Sequence, residues 1–187
     1  MKHIAVFASG SGSNAEAIIR YFENHTHIRV ALVVSNNPLA PVVKMAHQHR
    51  IISAIVSKNF FEDEARMSAL LQSQQIGFIA LAGFLQLIPE WLVKKFPNQI
   101  VNIHPALLPK FGGKGMYGKK VHEAVLAAGE TESGMTIHYV NAQYDEGEII
   151  AQQKVQIAAN ENAESLAQKV LQLEHEHYPK AIERLLM

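Results

Sequence analysis

The chain has 187 residues, 48% of them hydrophobic and 18% charged, and this composition predicts one folded domain, 1–187, with a substantial core. Lys plus Arg and Asp plus Glu number 17 each, and this balance argues against a nucleic-acid partner or an anionic membrane surface. Cysteine is absent, which excludes disulfides and thiolate catalysis and favours a cytoplasmic location.

Short β-rich runs alternate with helix-like segments in the first half of the chain, a rhythm typical of βαβ units on a parallel sheet. The predicted elements there are a strand at 4–8, a helix at 14–24, a strand at 30–35, a helix at 40–49, a strand at 54–56, a helix at 61–74 and a strand at 78–82. The apolar stretch 76–88 contains two glycines and is too short to cross a bilayer, so no membrane association is expected.

A short helix after Pro89 and a strand at 100–103 come next, followed by an irregular segment at 105–118. Loops of that length are more often functional than idle, and its four glycines predict mobility. The remaining predicted elements are a helix at 119–128, strands near 135–140 and 149–157, and a final helix at 163–186. The last two strands alternate in polarity, which predicts a solvent-facing, partly antiparallel end to the sheet. The predicted fold class is therefore α/β: an open, mostly parallel, Rossmann-like twisted sheet with helices on both faces.

A glycine-rich turn, Ser9-Gly10-Ser11-Gly12-Ser13-Asn14, joins the first strand to the first helix. Backbone amides, the helix dipole and hydroxyl groups can converge there on an anion, which favours a monophosphate site. With Ala15 the turn also satisfies G-x-G-x-x-A, the pattern of dinucleotide-binding folds. No Asp or Glu occurs between Glu23 and Glu62, however, so the ribose-binding carboxylate of such a site is missing. A capped tight turn without a ligand is the remaining alternative.

Asn102 and His104 alternate with apolar residues in 100–104, which places both on one side of a strand at its carboxyl end. An amide can donate to the oxyanion of an acyl-transfer reaction, and an imidazole can move the proton that the attacking amine loses. Asp145 is a candidate to orient that imidazole and stabilise its charged form. Because the chain has ten histidines, the residues alone leave a purely structural role for His104 equally open.

The run Asn102-Ile103-His104-Pro105-Ala106-Leu107-Leu108-Pro109 closely resembles the signature of the folate-dependent formyltransferase superfamily. The similarity extends over most of the chain, including 9–14, 81–84, 136–140, 145–150 and Glu174-His175, and is greatest for members that formylate glycinamide ribonucleotide. The resemblance implies transfer of the formyl group of the co-substrate 10-formyltetrahydrofolate to the amine of glycinamide ribonucleotide in de novo purine biosynthesis. It implies no nucleic-acid partner and a monomer or homodimer. No metal is predicted, because His175 and His177 point to different faces of a helix.

The resemblance also implies roles for individual positions. Asn102, His104 and Asp145 match the catalytic trio, with His104 as proton donor and Asp145 raising the pKa of the histidine. The ribonucleotide site is matched at its phosphate by Gly12, Ser13 and Asn14, and beside its ribose by Leu171, Gln172, Leu173 and Glu174. The folate site is matched by Leu85, Gln86, Leu87, Ile88, Asn102, Asn141, Ala142, Gln143, Tyr144 and Asp145.

Three departures from the family pattern accompany this match. Gln86 stands where members often carry an arginine, and the loop Lys110–Lys120 is longer than in many relatives. A basic residue that some members place after the third strand has no clear counterpart, so Lys58 and Arg66 are only candidates to reach the ligands.

Three other functions are compatible with parts of this pattern. Methionyl-tRNA formyltransferases carry a further nucleic-acid-binding domain, and formyltetrahydrofolate hydrolases generally carry an N-terminal regulatory domain for which there is no room before Lys2. A phosphometabolite-binding module without turnover is the third.

Overall fold

The computed structural model describes residues 1–187 and contains one sheet of seven strands flanked by seven helices. The strands are β1 (Lys2–Phe7), β2 (Ile28–Ser35), β3 (Ile52–Ile55), β4 (Ile76–Leu81), β5 (Ile100–His104), β6 (Glu132–Tyr139) and β7 (Ile149–Gln156). The helices are α1 (Ser13–Phe22), α2 (Pro41–Gln48), α3 (Lys58–Glu62), α4 (Glu64–Ser73), α5 (Glu90–Lys95), α6 (Lys119–Ala127) and α7 (Ala163–Leu186). None of these helices combines the length and apolar character needed to span a membrane.

The strands lie in the order β3-β2-β1-β4-β5-β6-β7. The first five are parallel to one another, whereas β6 and β7 add in antiparallel orientation, which confirms the predicted fold class. Strand order reverses between β1 and β4, so the chain leaves their carboxyl ends in opposite directions and opens a crevice there. The glycine-rich turn after β1 and the loop after β4 form the two sides of that crevice.

Two apolar clusters cover the two faces of the sheet, because successive side chains of each buried strand point to opposite sides. Ile4 and Val6 of β1 belong to the cluster under α1, α2, α6 and α7, whereas Ala5 and Phe7 belong to the cluster under α3, α4 and α5. All four residues are fully buried, as expected for a central parallel strand.

Two sequence predictions need correction. The helix expected at 61–74 is two helices, because Asp63 has extended backbone angles and its side chain accepts a hydrogen bond from the Arg66 N–H, which starts α4. Strand β6 is buried rather than solvent-facing, because β7 covers its outer edge and both faces of the sheet are covered at this point. Only β7 has the partly exposed pattern that was expected.

Candidate active site

A cavity of about 770 Å³ opens at the carboxyl ends of β1, β4 and β5. Its walls come from the start of α1, the loops after β4 and β6, the glycine-rich loop before α6, and the inner side of α7. Leu85, Leu87 and Tyr117 are large apolar residues that stay between 43% and 48% exposed on these walls. The cavity therefore offers an apolar surface for a flat ligand next to several polar groups.

The first turn of α1 forms one end of this cavity. The first intrahelical bond runs from the Glu16 N–H to the Gly12 carbonyl at 2.8 Å, so the N–H groups of the residues between them have no intrahelical acceptor. Gly12 has a φ of 81°, and a Cβ at this position would lie 2.6 Å from Val42 Cγ2. Glycine is thus required here both by the backbone conformation and by the close approach of α2. Ser13 and Asn14 line the cavity, whereas Gly12 does not.

Glu174 lies beside this turn, on α7. It is 5% exposed, and Asn14 Nδ2 donates a hydrogen bond of 2.6 Å to its Oε2. Burial raises the pKa of Glu174 to about 7, and the Asn14 hydrogen bond only partly opposes this rise. Leu171 also lines the cavity, while Gln172 and Leu173 of the same predicted segment do not.

The residues predicted to be catalytic lie together at the other end of the cavity. Asn102 Nδ2 donates to Asp145 Oδ1 at 3.3 Å, and His104 Nδ1 lies 3.5 Å from Asp145 Oδ2. Asp145 has a φ of 56° and accepts a second hydrogen bond from the Gly113 N–H at 2.9 Å. The loop after β6 therefore brings the carboxylate back over the end of β5.

His138 is a member of this cluster that the sequence predictions missed. It pairs with Asn102 across β5 and β6, and its Nε2 accepts a 3.1 Å hydrogen bond from Asn102 Nδ2 while its Nδ1–H donates to the Tyr139 carbonyl at 2.8 Å. The two hydrogens of the Asn102 amide thus point to His138 and Asp145. The signal for His138 was the polar alternation of Thr136 and His138 in an otherwise apolar strand.

The pKa values of the cluster are set by burial and by mutual interaction. Burial lowers the pKa of His104 below its ordinary value, and this effect outweighs the nearby Asp145 carboxylate, which raises it. Burial raises the pKa of Asp145, but the adjacent His138 and His104 rings and the hydrogen bond from the Gly113 N–H together lower it below its ordinary value. The arrangement favours a charged carboxylate beside a neutral imidazole, which can accept a proton in an environment prepared for the resulting positive charge.

The segments predicted to bind folate form the apolar side of the cavity. Leu85, Gln86, Leu87 and Ile88 all line it, and so do Asn141, Gln143, Tyr144 and Asp145. Ala142 does not line the cavity and is exposed. Gln86, at the position where an arginine was expected, has a buried Oε1 without a hydrogen-bond partner.

The glycine-rich loop between β5 and α6 has two distinct parts. Its first part is attached to the catalytic cluster, because His104 Nε2–H donates to the Phe111 carbonyl at 2.8 Å and Gly112 packs on Leu108 and Asp145. Its second part contains three glycines with positive φ, Gly113, Gly115 and Gly118, and a Cβ at any of them would meet no atom within 4 Å. Mobility of this loop stays a prediction, with the residues after Gly113 as its freest part.

The two basic residues considered as ligand contacts lie elsewhere. Lys58 pairs with Glu62 at 3.8 Å and Arg66 pairs with Asp63 at 3.3 Å, and neither lines the cavity. The lysines on the cavity wall are Lys114 and Lys119. Lys119 forms ion pairs with Glu123 and Glu164.

Comparisons with known proteins agree with this fold. A family model described as formyl transferase matches residues 2–182. The chain therefore belongs to the formyl transferase family. It is 42% identical over 187 residues to the chloroplastic phosphoribosylglycinamide formyltransferase of Arabidopsis thaliana, a match that covers 97% of this chain and 64% of that protein. The chain thus spans less than two thirds of the plant relative's length.

Two bacterial relatives match along nearly their full lengths. The phosphoribosylglycinamide formyltransferase of Bacillus subtilis is 37% identical over 191 residues, covering 100% of this chain and 95% of that protein. The crystal structure of glycinamide ribonucleotide transformylase 1 from Geobacillus kaustophilus superimposes with a TM-score of 0.89 at 38% identity, covering 100% of both chains.

Proposed function

We propose that this chain transfers the formyl group of 10-formyltetrahydrofolate to the amine of glycinamide ribonucleotide, giving formylglycinamide ribonucleotide and tetrahydrofolate in purine biosynthesis. One observation carries the proposal: a single cavity joins an open helix start, suited to a phosphate, to the cluster of Asn102, buried His104 and Asp145 beside an apolar wall. The named relatives support the same reaction.

The ribonucleotide binds in this proposal along α1 and α7. Its phosphate accepts hydrogen bonds from the free N–H groups of the first turn of α1, around Ser13 and Asn14. Its ribose hydroxyls donate hydrogen bonds to Glu174. These bonds orient the ligand so that the glycinamide amine lies towards His104. Gly12, Gln172 and Leu173 contribute by shaping these elements, since they lie outside the cavity wall.

The folate binds on the opposite side, between 85–88 and 141–145. Its pterin lies against the exposed faces of Leu85 and Leu87, with backbone groups of the loop after β6 reading its polar edge. This placement brings the formyl carbon over the end of β5, next to Asn102.

The amine nitrogen attacks the formyl carbon and forms a tetrahedral oxyanion. Asn102 donates to that oxyanion by redirecting one of its two N–H bonds, which point to His138 and Asp145 in the free protein. His104 takes the proton that the amine loses and returns one to the departing folate nitrogen, so the C–N bond to folate breaks as a neutral amine leaves. Asp145 stabilises the imidazolium that forms between these two steps.

The proposal extends to the organisation of the protein. Residues 1–187 act as one formyltransferase domain, as a monomer or homodimer, in the cytoplasm. No metal ion takes part in the proposed steps.

Product analysis with 10-formyltetrahydrofolate tests this proposal against its alternatives. With glycinamide ribonucleotide present, we expect equal amounts of tetrahydrofolate and formylglycinamide ribonucleotide, and no formate when the ribonucleotide is omitted. Formate release without the ribonucleotide would identify a hydrolase, and ribonucleotide binding without any product would identify a binding module. The His104→Ala variant serves as the control for contaminating activity.

A further inference from the structure

His122 is a buried histidine on the cavity wall that none of the proposed steps uses. It lies on α6, which begins directly after the glycine-rich loop, and the residue is 4% exposed although it lines the cavity. The imidazole makes no hydrogen bond within the protein, and its Nδ1 is sealed from solvent without a partner. A buried polar atom left unpaired is costly, so its presence here needs an explanation.

The burial of Nδ1 determines which hydrogen-bonding group His122 offers. A proton on Nδ1 would leave a sealed N–H without an acceptor, whereas a bare Nδ1 lone pair is the less costly state. Burial lowers the pKa of His122, and the nearby His104 lowers it further, so the ring is neutral near pH 7. The single ring proton therefore resides on Nε2, the nitrogen left to the cavity, and His122 presents one N–H donor to a ligand.

The position of His122 indicates which part of a ligand this donor meets. Helix α6 packs on α7, and Val121 and Val125 on either side of His122 are buried in the core, so the ring belongs to the wall proposed for the ribonucleotide. Helix α6 begins directly after the loop in which Phe111 and Gly113 bond to His104 and Asp145, and His122 lines the same cavity as His104, which assigns the ring to the reacting end. In glycinamide ribonucleotide, the acceptor nearest the reacting amine is the amide carbonyl, separated from it by one methylene group.

We propose that His122 positions the ribonucleotide by donating a hydrogen bond from Nε2 to the carbonyl oxygen of its glycinamide group. This bond fixes the amine relative to the formyl carbon and to His104. The proposal rests on the function proposed above, and it assigns His122 a role in substrate alignment, with no part in proton transfer.

Two substitutions of His122 separate this role from a structural one. His122→Leu removes the donor and replaces a buried unpaired nitrogen with carbon, so the variant should unfold at the same or a higher temperature than the wild type. We expect its Kd and KM for glycinamide ribonucleotide to rise about tenfold, the effect of losing one hydrogen bond and leaving its acceptor unpaired. The Kd for tetrahydrofolate should not change. His122→Gln, whose amide N–H lies near the position of Nε2–H, should recover most of the lost affinity.

Ser133→Ala is the matched control, because Ser133 also has a buried side-chain atom without a partner but does not line the cavity. Its stability should respond like that of His122→Leu, with both ligand affinities unchanged. The proposal is wrong if His122→Leu binds the ribonucleotide as tightly as wild type, if folate binding weakens equally, or if His122→Gln is as weak as His122→Leu. Wild-type protein that binds the ribonucleotide without transferring formyl would refute the proposed reaction, while the binding comparison would still decide the role of His122.

Discussion

The two ends of the cavity are formed by different kinds of chemical groups. The phosphate site proposed at the α1 end consists of backbone N–H groups and small side chains set by adjacent residues, Gly12 to Asn14. The reacting end consists of buried titratable side chains, and Asn102 meets partners 36 and 43 residues away. A phosphate site can thus be assembled within one turn of chain, whereas the ribose side of that end and the proton-transfer groups each require distant elements to meet. Substitutions at the two ends should therefore affect different quantities, turnover at the reacting end and ligand affinity at the α1 end.

The largest effect is expected at the reacting end. His104→Ala should lower kcat by about a hundred- to ten-thousand-fold, the usual contribution of a general acid–base group, with little change in the Kd of either ligand. Steady-state kinetics combined with calorimetry measures both quantities. Near-normal turnover in this variant would mean that another residue carries the proton.

The same end should also show strong coupling between residues. Asp145 has a φ of 56°, a backbone conformation that asparagine also tolerates, so Asp145→Asn should leave the loop unchanged. Since Asp145 acts through the imidazole, the double variant His104→Ala with Asp145→Asn should be scarcely slower than the slower single variant. Penalties that multiply in full would show that the two residues act independently.

An intermediate effect is expected at the α1 end. Ser13→Ala should weaken glycinamide ribonucleotide binding by about tenfold, because a hydrogen bond to a charged phosphate is lost, and leave the affinity for the dephosphorylated riboside unchanged. Titration calorimetry with both ligands measures this difference. Equal weakening of both ligands would place the phosphate elsewhere.

Gly12→Val provides the contrast at that end. Its side chain would enter the space of Val42 and strain a positive φ, so we expect a lower Tm and weaker binding of both ligands. It therefore reports on the fold and cannot isolate the phosphate contact.

The smallest effect concerns Glu174, the one titratable group at the α1 end. Its pKa of about 7 in the folded protein lies above the ordinary value of 4.5, so its contribution to stability is lost as the pH rises from about 4.5 to about 7. Ribose hydroxyls donate more strongly to the ionised form, so the KM for the ribonucleotide should fall about threefold as the pH approaches 7 from below. Glu174→Gln should flatten this dependence and leave only the titration of the ligand phosphate. A pH profile identical to that of the wild type would exclude Glu174 as its source.

The sequence predicted those parts of the site that depend on local rules. Period-two alternation placed Asn102 and His104 on one side of β5, and the glycines of 9–14 identified the open helix start. His138 belongs to the cluster because it lies opposite Asn102 in the pairing of β5 and β6. The sequence of either strand alone does not specify that register. The hydrogen bond from His104 to Phe111 was likewise beyond local reasoning, because it depends on the path of a long loop. Asp145 was connected to His104 only through family resemblance.

The hydrogen bond between Asn14 and Glu174 joins residues 160 positions apart. A ribosome makes the chain from its N-terminus, so the parallel strands and the start of α1 exist well before α7 does. The ribose side of the cavity is therefore completed only when α7 has left the exit tunnel, seconds after the first strands at ordinary elongation rates of roughly 5–20 residues per second. Until then the nascent chain exposes the apolar surface that α7 later covers, and that surface is open to aggregation.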